Sequence, residues 1–336
     1  MARRGEAARR ILLLLLGVIV IAGIIVAIGV GEMVAIMSGI TLPWLIALTL
    51  LQLGTLYLTS TIWYLLLREK SAAITQSSVF LITMAGTFIE SITPSVKLGG
   101  EAMKIYLMKK KSALSYQEVT GVAIASKIFY LVPFLLISLI TIVAALFILD
   151  LPAVVYSAFA GLLICCCLVY LLLFRTRERE QVRETGRDQS IIGRLRTRTE
   201  AARSFLSRSS GMAAEIVRDP TKSATLYLLA FIVWAFYPVK VYLVAYLLGF
   251  QVSPIVIIIA TFTAYLVSMI PLLPGGLVTF EGTMALVLVS GGMALPDAAA
   301  VAIMTRCITF WIPLLLSAAV TLFFIQEKRS EAVFTA

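Results

Sequence analysis

The chain has 336 residues, 60% of them hydrophobic and only 14% charged, with a net charge of +10 and no histidine. Soluble domains carry about a quarter charged residues and under half apolar ones, so a soluble globular enzyme is excluded. The missing histidines also exclude Ser-His triads, His-ligated zinc and HExxH metalloprotease chemistry.

Apolar runs at 11–30, 42–67, 74–92, 119–149, 152–174, 223–248, 254–273, 276–290 and 298–325 are separated by polar or Pro/Gly clusters. About 20 apolar residues cross the roughly 30 Å hydrocarbon layer as a helix. The sequence therefore predicts an all-α polytopic membrane protein, and its basic residues, which sit mostly between the runs, read as topology signals rather than as a nucleic-acid surface. The first run is too long for a signal h-region and has no cleavage site before Glu32, so it is expected to remain as a helix.

Lys and Arg concentrate in cytoplasmic loops. Arg3, Arg4, Arg9 and Arg10 place the start of the chain in the cytoplasm, and Arg68 and Lys70 mark the next return to it. Lys109, Lys110 and Lys111 belong to the same side, yet an apolar run lies between the two clusters. The resolution is a re-entrant hairpin that enters at 74–92, breaks at 93–100 and leaves through 101–108. The run at 119–149 then crosses outward and 152–174 returns. Residues 175–222 form a basic cytoplasmic loop with 12 Lys/Arg against 7 Asp/Glu; its weak amphipathic pattern fits either an interfacial helix on the anionic leaflet or an ordinary loop. After 223–248 leads out, Lys328 and Arg329 require the last run to end inside. A second hairpin, broken at 271–276, therefore begins and ends outside, either turning at mid-depth or crossing fully. These signals predict a multi-pass protein of the cell membrane with both termini cytoplasmic.

The two hairpins share a pattern. Pro94-Ser95-Val96-Lys97-Leu98-Gly99-Gly100-Glu101 and Pro274-Gly275-Gly276-Leu277-Val278-Thr279-Phe280-Glu281 both place Glu seven residues after Pro, at an offset of 180 that also carries Pro133 onto Pro313. Lys127 and Arg306 fall one residue out of that register. The expected organisation is one integral membrane domain, 1–336, of two inverted-topology repeats at about 11–149 and 152–325. Each holds a broken helix of the kind that lines substrate sites in secondary transporters. Pro94, Gly99, Gly100, Pro274, Gly275 and Gly276 are the expected breaks.

Glu90, Lys97, Glu101, Lys104, Lys127, Lys240, Glu281 and Arg306 lie within or beside apolar runs. A charge at a helix centre costs roughly 2.5–3.5 kcal/mol on insertion scales, so the central ones must face each other or a wet cavity. One reading pairs Glu101 with Lys127 and Glu281 with Arg306 as structural ties. The other makes them, with Glu90, Lys97 and Lys104, a substrate site in which cations take a phosphate and carboxylates carry a proton or counter-ion. Lys240, eight residues from its helix end, is expected to snorkel. Cys165, Cys166 and Cys167 fan around a helix and Cys307 stands apart, so neither a metal site nor a disulfide is expected, and no cofactor is implied.

The stretch from Thr93 to Leu107, the Leu-Pro-Gly-Gly…Glu-Gly stretch from Leu273 to Gly282, and Arg306 followed by Thr309-Phe310-Trp311-Ile312-Pro313 resemble the membrane domain of lysylphosphatidylglycerol synthases and its free-standing flippase-like relatives. The resemblance runs from about residue 10 to 325 and implies a lipid translocase whose cargo is a phospholipid, an aminoacyl-lipid or a polyprenyl-phosphate lipid. In the two-part synthases a separate soluble domain transfers the amino acid; this chain ends eleven residues after Ile325, so synthase activity is not expected of it. Its rivals are a membrane-embedded lipid-modifying transferase and a non-transporting scaffold for a lipid-modifying partner. The family often carries an acidic-basic pair where this chain has Ser126-Lys127.

Overall fold

The structure, a computed structural model, describes residues 38–93, 98–151, 153–175, 191–270 and 274–322. The run at 11–30, the break residue Pro94, the site candidate Lys97, and the Lys328-Arg329 pair lie outside the described residues. Within them every regular element is helical, and the protein is an all-α, multi-pass integral membrane protein.

Four helices are long and apolar enough to cross a bilayer: α1 (Leu42–Arg68), α4 (Tyr116–Ile148), α7 (Pro220–Leu247) and α10 (Leu295–Leu322). The short helices come in two packed pairs, α2 (Gln76–Ile92) with α3 (Leu98–Lys111), and α8 (Pro254–Ser268) with α9 (Thr279–Ser290). At 1.5 Å per residue each is about 18–25 Å long, short of the hydrocarbon thickness. Two further helices, α5 (Ala153–Arg175) and α6 (Ile191–Arg218), complete the set.

Helix starts follow from side chains that accept the first free backbone N–H groups. Thr75 caps α2 through the Ser78 N–H. Ser115 and Glu118 form a reciprocal capping box on α4, and Asp219 accepts from the Thr221 and Lys222 N–H groups at the start of α7. Those N–H groups, Lys222 first, hold the exposed Asp219 carboxyl below its usual range.

Two apolar clusters occupy opposite ends of α4. One gathers Leu67 from the end of α1, Val79 from the start of α2, Met108 from the end of α3, Val119 and Leu226. The other gathers Leu48, Val244, Val256 from the start of α8, Leu288 from the end of α9, and Val301. The start of α2 and the end of α3 thus share the first cluster, and the start of α8 and the end of α9 share the second. The helix boundaries also repeat. Displaced by 180 residues, α1, α2, α3 and α4 fall at 222–248, 256–272, 278–291 and 296–328, overlapping α7, α8, α9 and α10 in order.

One expectation is corrected. Gly99 and Gly100 are not in the break: they lie in the first turn of α3, where a Cβ on Gly100 would stand 2.5 Å from the Gly86 carbonyl oxygen. At Gly100 α3 packs backbone against backbone on α2, and at Gly99 a Cβ would stand 2.8 Å from the Thr93 hydroxyl oxygen. The basic segment at 175–222 contains α6, whose C-terminal half docks on α4 and α7. There Ala213 is fully buried, the Ser209 hydroxyl donates to the Gln117 carbonyl at 3.2 Å, and Gly121 makes room for Met212.

Candidate functional site

The second short pair is broken by a tight 3₁₀ turn at Pro274–Gly276. Gly275 and Gly276 have φ of +64° and +66°, and a Cβ on Gly275 would strike the Phe310 ring. Only glycine meets both demands. Val278 at the start of α9 also has a positive φ, +69°, a strained backbone for a β-branched residue that costs of order 1–3 kcal/mol.

This turn is pinned by Arg306. From α10, its Nε donates to Glu281 Oε1 of α9 at 3.0 Å and its Nη2 donates to the Gly275 carbonyl. The guanidinium also stacks between Phe280 and Phe310, at 4.5 and 4.8 Å from their ring centroids. Both charged side chains are only 6% exposed. Arg suits the place because its planar fork answers a carboxylate, a carbonyl and two ring faces at once. Directly after Arg306 the helix widens into a π-turn at Cys307–Trp311. Pro313 follows, and it cannot donate an N–H to the preceding turn.

A second cluster sits on the first short pair. Glu101 Oε1 of α3 accepts from Lys104 and, at 3.1 Å, from Lys127 of α4. The Lys104 stem crosses Gly86, where a Cβ would lie 2.6 Å from its Cγ, and its ammonium lies 5.0 Å over the Trp63 ring of α1. Glu90 of α2 lies beside Gly100, one residue before Glu101. Lys127 is the open member, with its side chain 47% exposed. In both clusters the glutamate leaves Oε2 buried with no hydrogen-bond partner among the described residues.

Of the residues expected in a site, the structure therefore joins Glu101 with Lys104 and Lys127, and Glu281 with Arg306 and Gly275. Among the described residues Arg306 and Glu281 make no ion pair with the first cluster. The halves meet elsewhere, among other places where Pro274–Gly276 packs on α2 and Cys307–Trp311 packs on α1.

Lys240 does not snorkel. It is 0% exposed, and its ammonium donates to Gln52 Oε1 and, at 3.1 Å, to Thr55 Oγ1 of α1. Its stem has no route to the helix end because Val241, Val244 and Ala245 fill the packed face above it. The sequence reading also missed an aromatic ladder of Tyr237, Tyr265 and Phe280, with ring centroids 4.8 and 4.9 Å apart, that runs from Lys240 to Arg306. The available signal was the polar stripe Gln52, Thr55, Thr59 on a largely apolar helix, matched by Tyr237 and Lys240 three residues apart on α7.

The family model of the lysylphosphatidylglycerol synthase TM region matches residues 14–317. A UPF0104 membrane protein of Methanothermobacter thermautotrophicus is 25% identical over 307 residues, covering 89% of this chain and 91% of that protein. A UPF0104 membrane protein of Pyrococcus horikoshii is 20% identical over 335 residues, covering 94% and 97%. No solved structure matches the chain. The chain belongs to the lysylphosphatidylglycerol synthase transmembrane-region family.

Proposed function

We propose that this family member is a lipid translocase, in which a phosphate-bearing head group passes between two oppositely inserted hairpins while the acyl tails stay in the bilayer. The observation that carries the reading is the matched pair of glutamates, Glu281 buried and Glu101 largely so. Each sits on the second helix of a short pair, is bonded to a cation of the following long helix through one oxygen, and keeps its other oxygen buried without a partner among the described residues. A purely structural ion pair satisfies both oxygens, because an unmet buried acceptor costs about 1–3 kcal/mol. Two helices too short to span, joined by strained Gly-rich backbone, further fit the broken elements that line transporter cavities. The 180-residue recurrence of helix boundaries supports the inverted repeat.

The exposures order the events. Lys127, half exposed, receives the phosphate first. Arg306, enclosed by Glu281, Gly275 and two rings, takes it only when the second hairpin opens and Glu281 exchanges its Arg306 hydrogen bond for water. The proposed cargo class rests on the preference of these cations for a phosphate, a group common to phospholipids, aminoacyl-lipids and polyprenyl-phosphate lipids.

The test is leaflet exchange of a fluorescent phospholipid, and of a polyprenyl phosphate, in proteoliposomes. Wild-type protein is expected to exchange at least one of them, and Arg306→Ala and Glu101→Ala to slow it by at least about tenfold, the equivalent of one lost charge-assisted hydrogen bond. Folded variants that exchange at the wild-type rate would overturn the site.

A further inference from the structure

Lys240 is a charged-type side chain that the proposed cycle leaves unused. It lies 20 residues into α7, about 30 Å from the helix start, and is wholly enclosed. Every other buried cation described above bonds to a carboxylate; Lys240 bonds to the neutral Gln52 and Thr55 and lies 4.2 Å over the Tyr237 ring. Among the described residues no carboxylate stands within ion-pair distance of it.

The ionisable groups around it are few. α1 faces it with Gln52 and Thr55. Tyr237 is on α7 itself and stacks on Tyr265 of α8. Tyr130 of α4 is held on the same side, its carbonyl accepting the Trp234 indole N–H at 2.9 Å. Beyond Phe280 of α9 comes Arg306 of α10, already bonded to Glu281. α6 meets α7 where Ser223 donates to the Val217 carbonyl.

This acceptor set suits two protonation states. A neutral amine has two N–H donors, and the two acceptors on α1 take both. Among the described residues the third proton of an ammonium has only the Tyr237 ring face, a cation–π contact that exists only in the charged state. Gain or loss of one proton thus keeps both hydrogen bonds and changes the hold on Tyr237. That ring is the first rung of the ladder Tyr237–Tyr265–Phe280 that ends under the Arg306 guanidinium.

We propose that Lys240 is a proton-binding site: when the helices packed around it part, it takes a proton from water at one membrane face and releases it to the other, and through the aromatic ladder it couples that exchange to the opening of the second hairpin. The coupling part rests on the translocase reading; the proton-binding part does not. No bond other than N–H forms or breaks, and the charge of the site alternates between +1 and 0.

Two measurements separate these parts. The first is proton uptake by full-length protein in detergent, titrated across the neutral range, wild type against Lys240→Met. The chain has no histidine, and the cysteines and termini cancel in the difference. One proton per chain missing from the variant is expected; identical curves would overturn the proposal and leave Lys240 a fixed structural charge. The second is the ratio of lipid exchange with and without an imposed pH gradient. One coupled proton raises the wild-type ratio by up to about tenfold per pH unit, and the ratio is expected to fall to one in Lys240→Met and in Lys240→Gln, which keeps a polar partner for α1 should the Met variant not fold. Equal ratios in wild type and variants overturn the coupling. Proton uptake with no lipid exchange in any sample would instead retain the proton site and remove the translocase reading.

Discussion

Arg306→Ala is expected to lower stability by about 3–5 kcal/mol, the cost of leaving one partner of a buried ion pair without the other, and to abolish lipid exchange. The stranded group is Glu281, buried on α9 with its second oxygen already unmet. Arg306→Lys does not rescue it, because an ammonium cannot serve the carboxylate, the Gly275 carbonyl and two aromatic faces together. The informative companion is Arg306→Met with Glu281→Leu. Replacing a buried pair by apolar residues of similar volume is neutral or stabilising by about 1–4 kcal/mol. Unfolding in detergent should therefore show the double variant recovering most of the stability lost by Arg306→Ala, while exchange stays absent. Recovery of both would reduce the pair to a structural tie.

In the first half Glu101→Gln is expected to cost less stability, about 1.5–3 kcal/mol for its charge-assisted hydrogen bonds, yet to block exchange as fully. The difference comes from Lys127, whose half-exposed side chain can turn to water, whereas Lys104 stays buried over Trp63. Comparing unfolding free energies of Glu101→Gln and Arg306→Ala checks the ordering; equal losses would mean that both clusters are equally closed. Exchanging Glu101 and Lys127 is a poorer probe, since Glu101→Lys sets two ammonium groups one helical turn apart on α3.

Much of the architecture was legible because a bilayer leaves few choices: backbone groups must be bonded within helices, so apolar run length and Pro/Gly breaks mark the elements. The Pro-to-Glu spacing located both glutamates on the second helix of a short pair, and the cost of lone intramembrane charges paired Glu101 with Lys127 and Glu281 with Arg306. What failed was local. Gly99 and Gly100 read as breakers, whereas close packing of α3 on α2 makes them helical. Lys240 was judged by distance from the helix end, which ignores the packed face above it. The Tyr237–Tyr265–Phe280 ladder gave no signal of its own, because aromatic residues are frequent in apolar helices and only tertiary packing aligns them. The docking of α6 depends on small residues, Gly121 and Ala213, whose role appears only when two helices touch.

The opposite insertion of the two short pairs is tested most directly by side-specific cysteine labelling in sealed, oriented vesicles. In a background with the four native cysteines replaced, single cysteines are placed at four connections: Ala72→Cys before α2, Ala113→Cys after α3, Gln251→Cys before α8 and Ala294→Cys after α9. A membrane-impermeant thiol reagent is expected to reach the first two only from the cytoplasmic side and the last two only from the other. Labelling of Ala72→Cys and Ala113→Cys from different sides would make the first pair a full crossing and contradict the inverted hairpins.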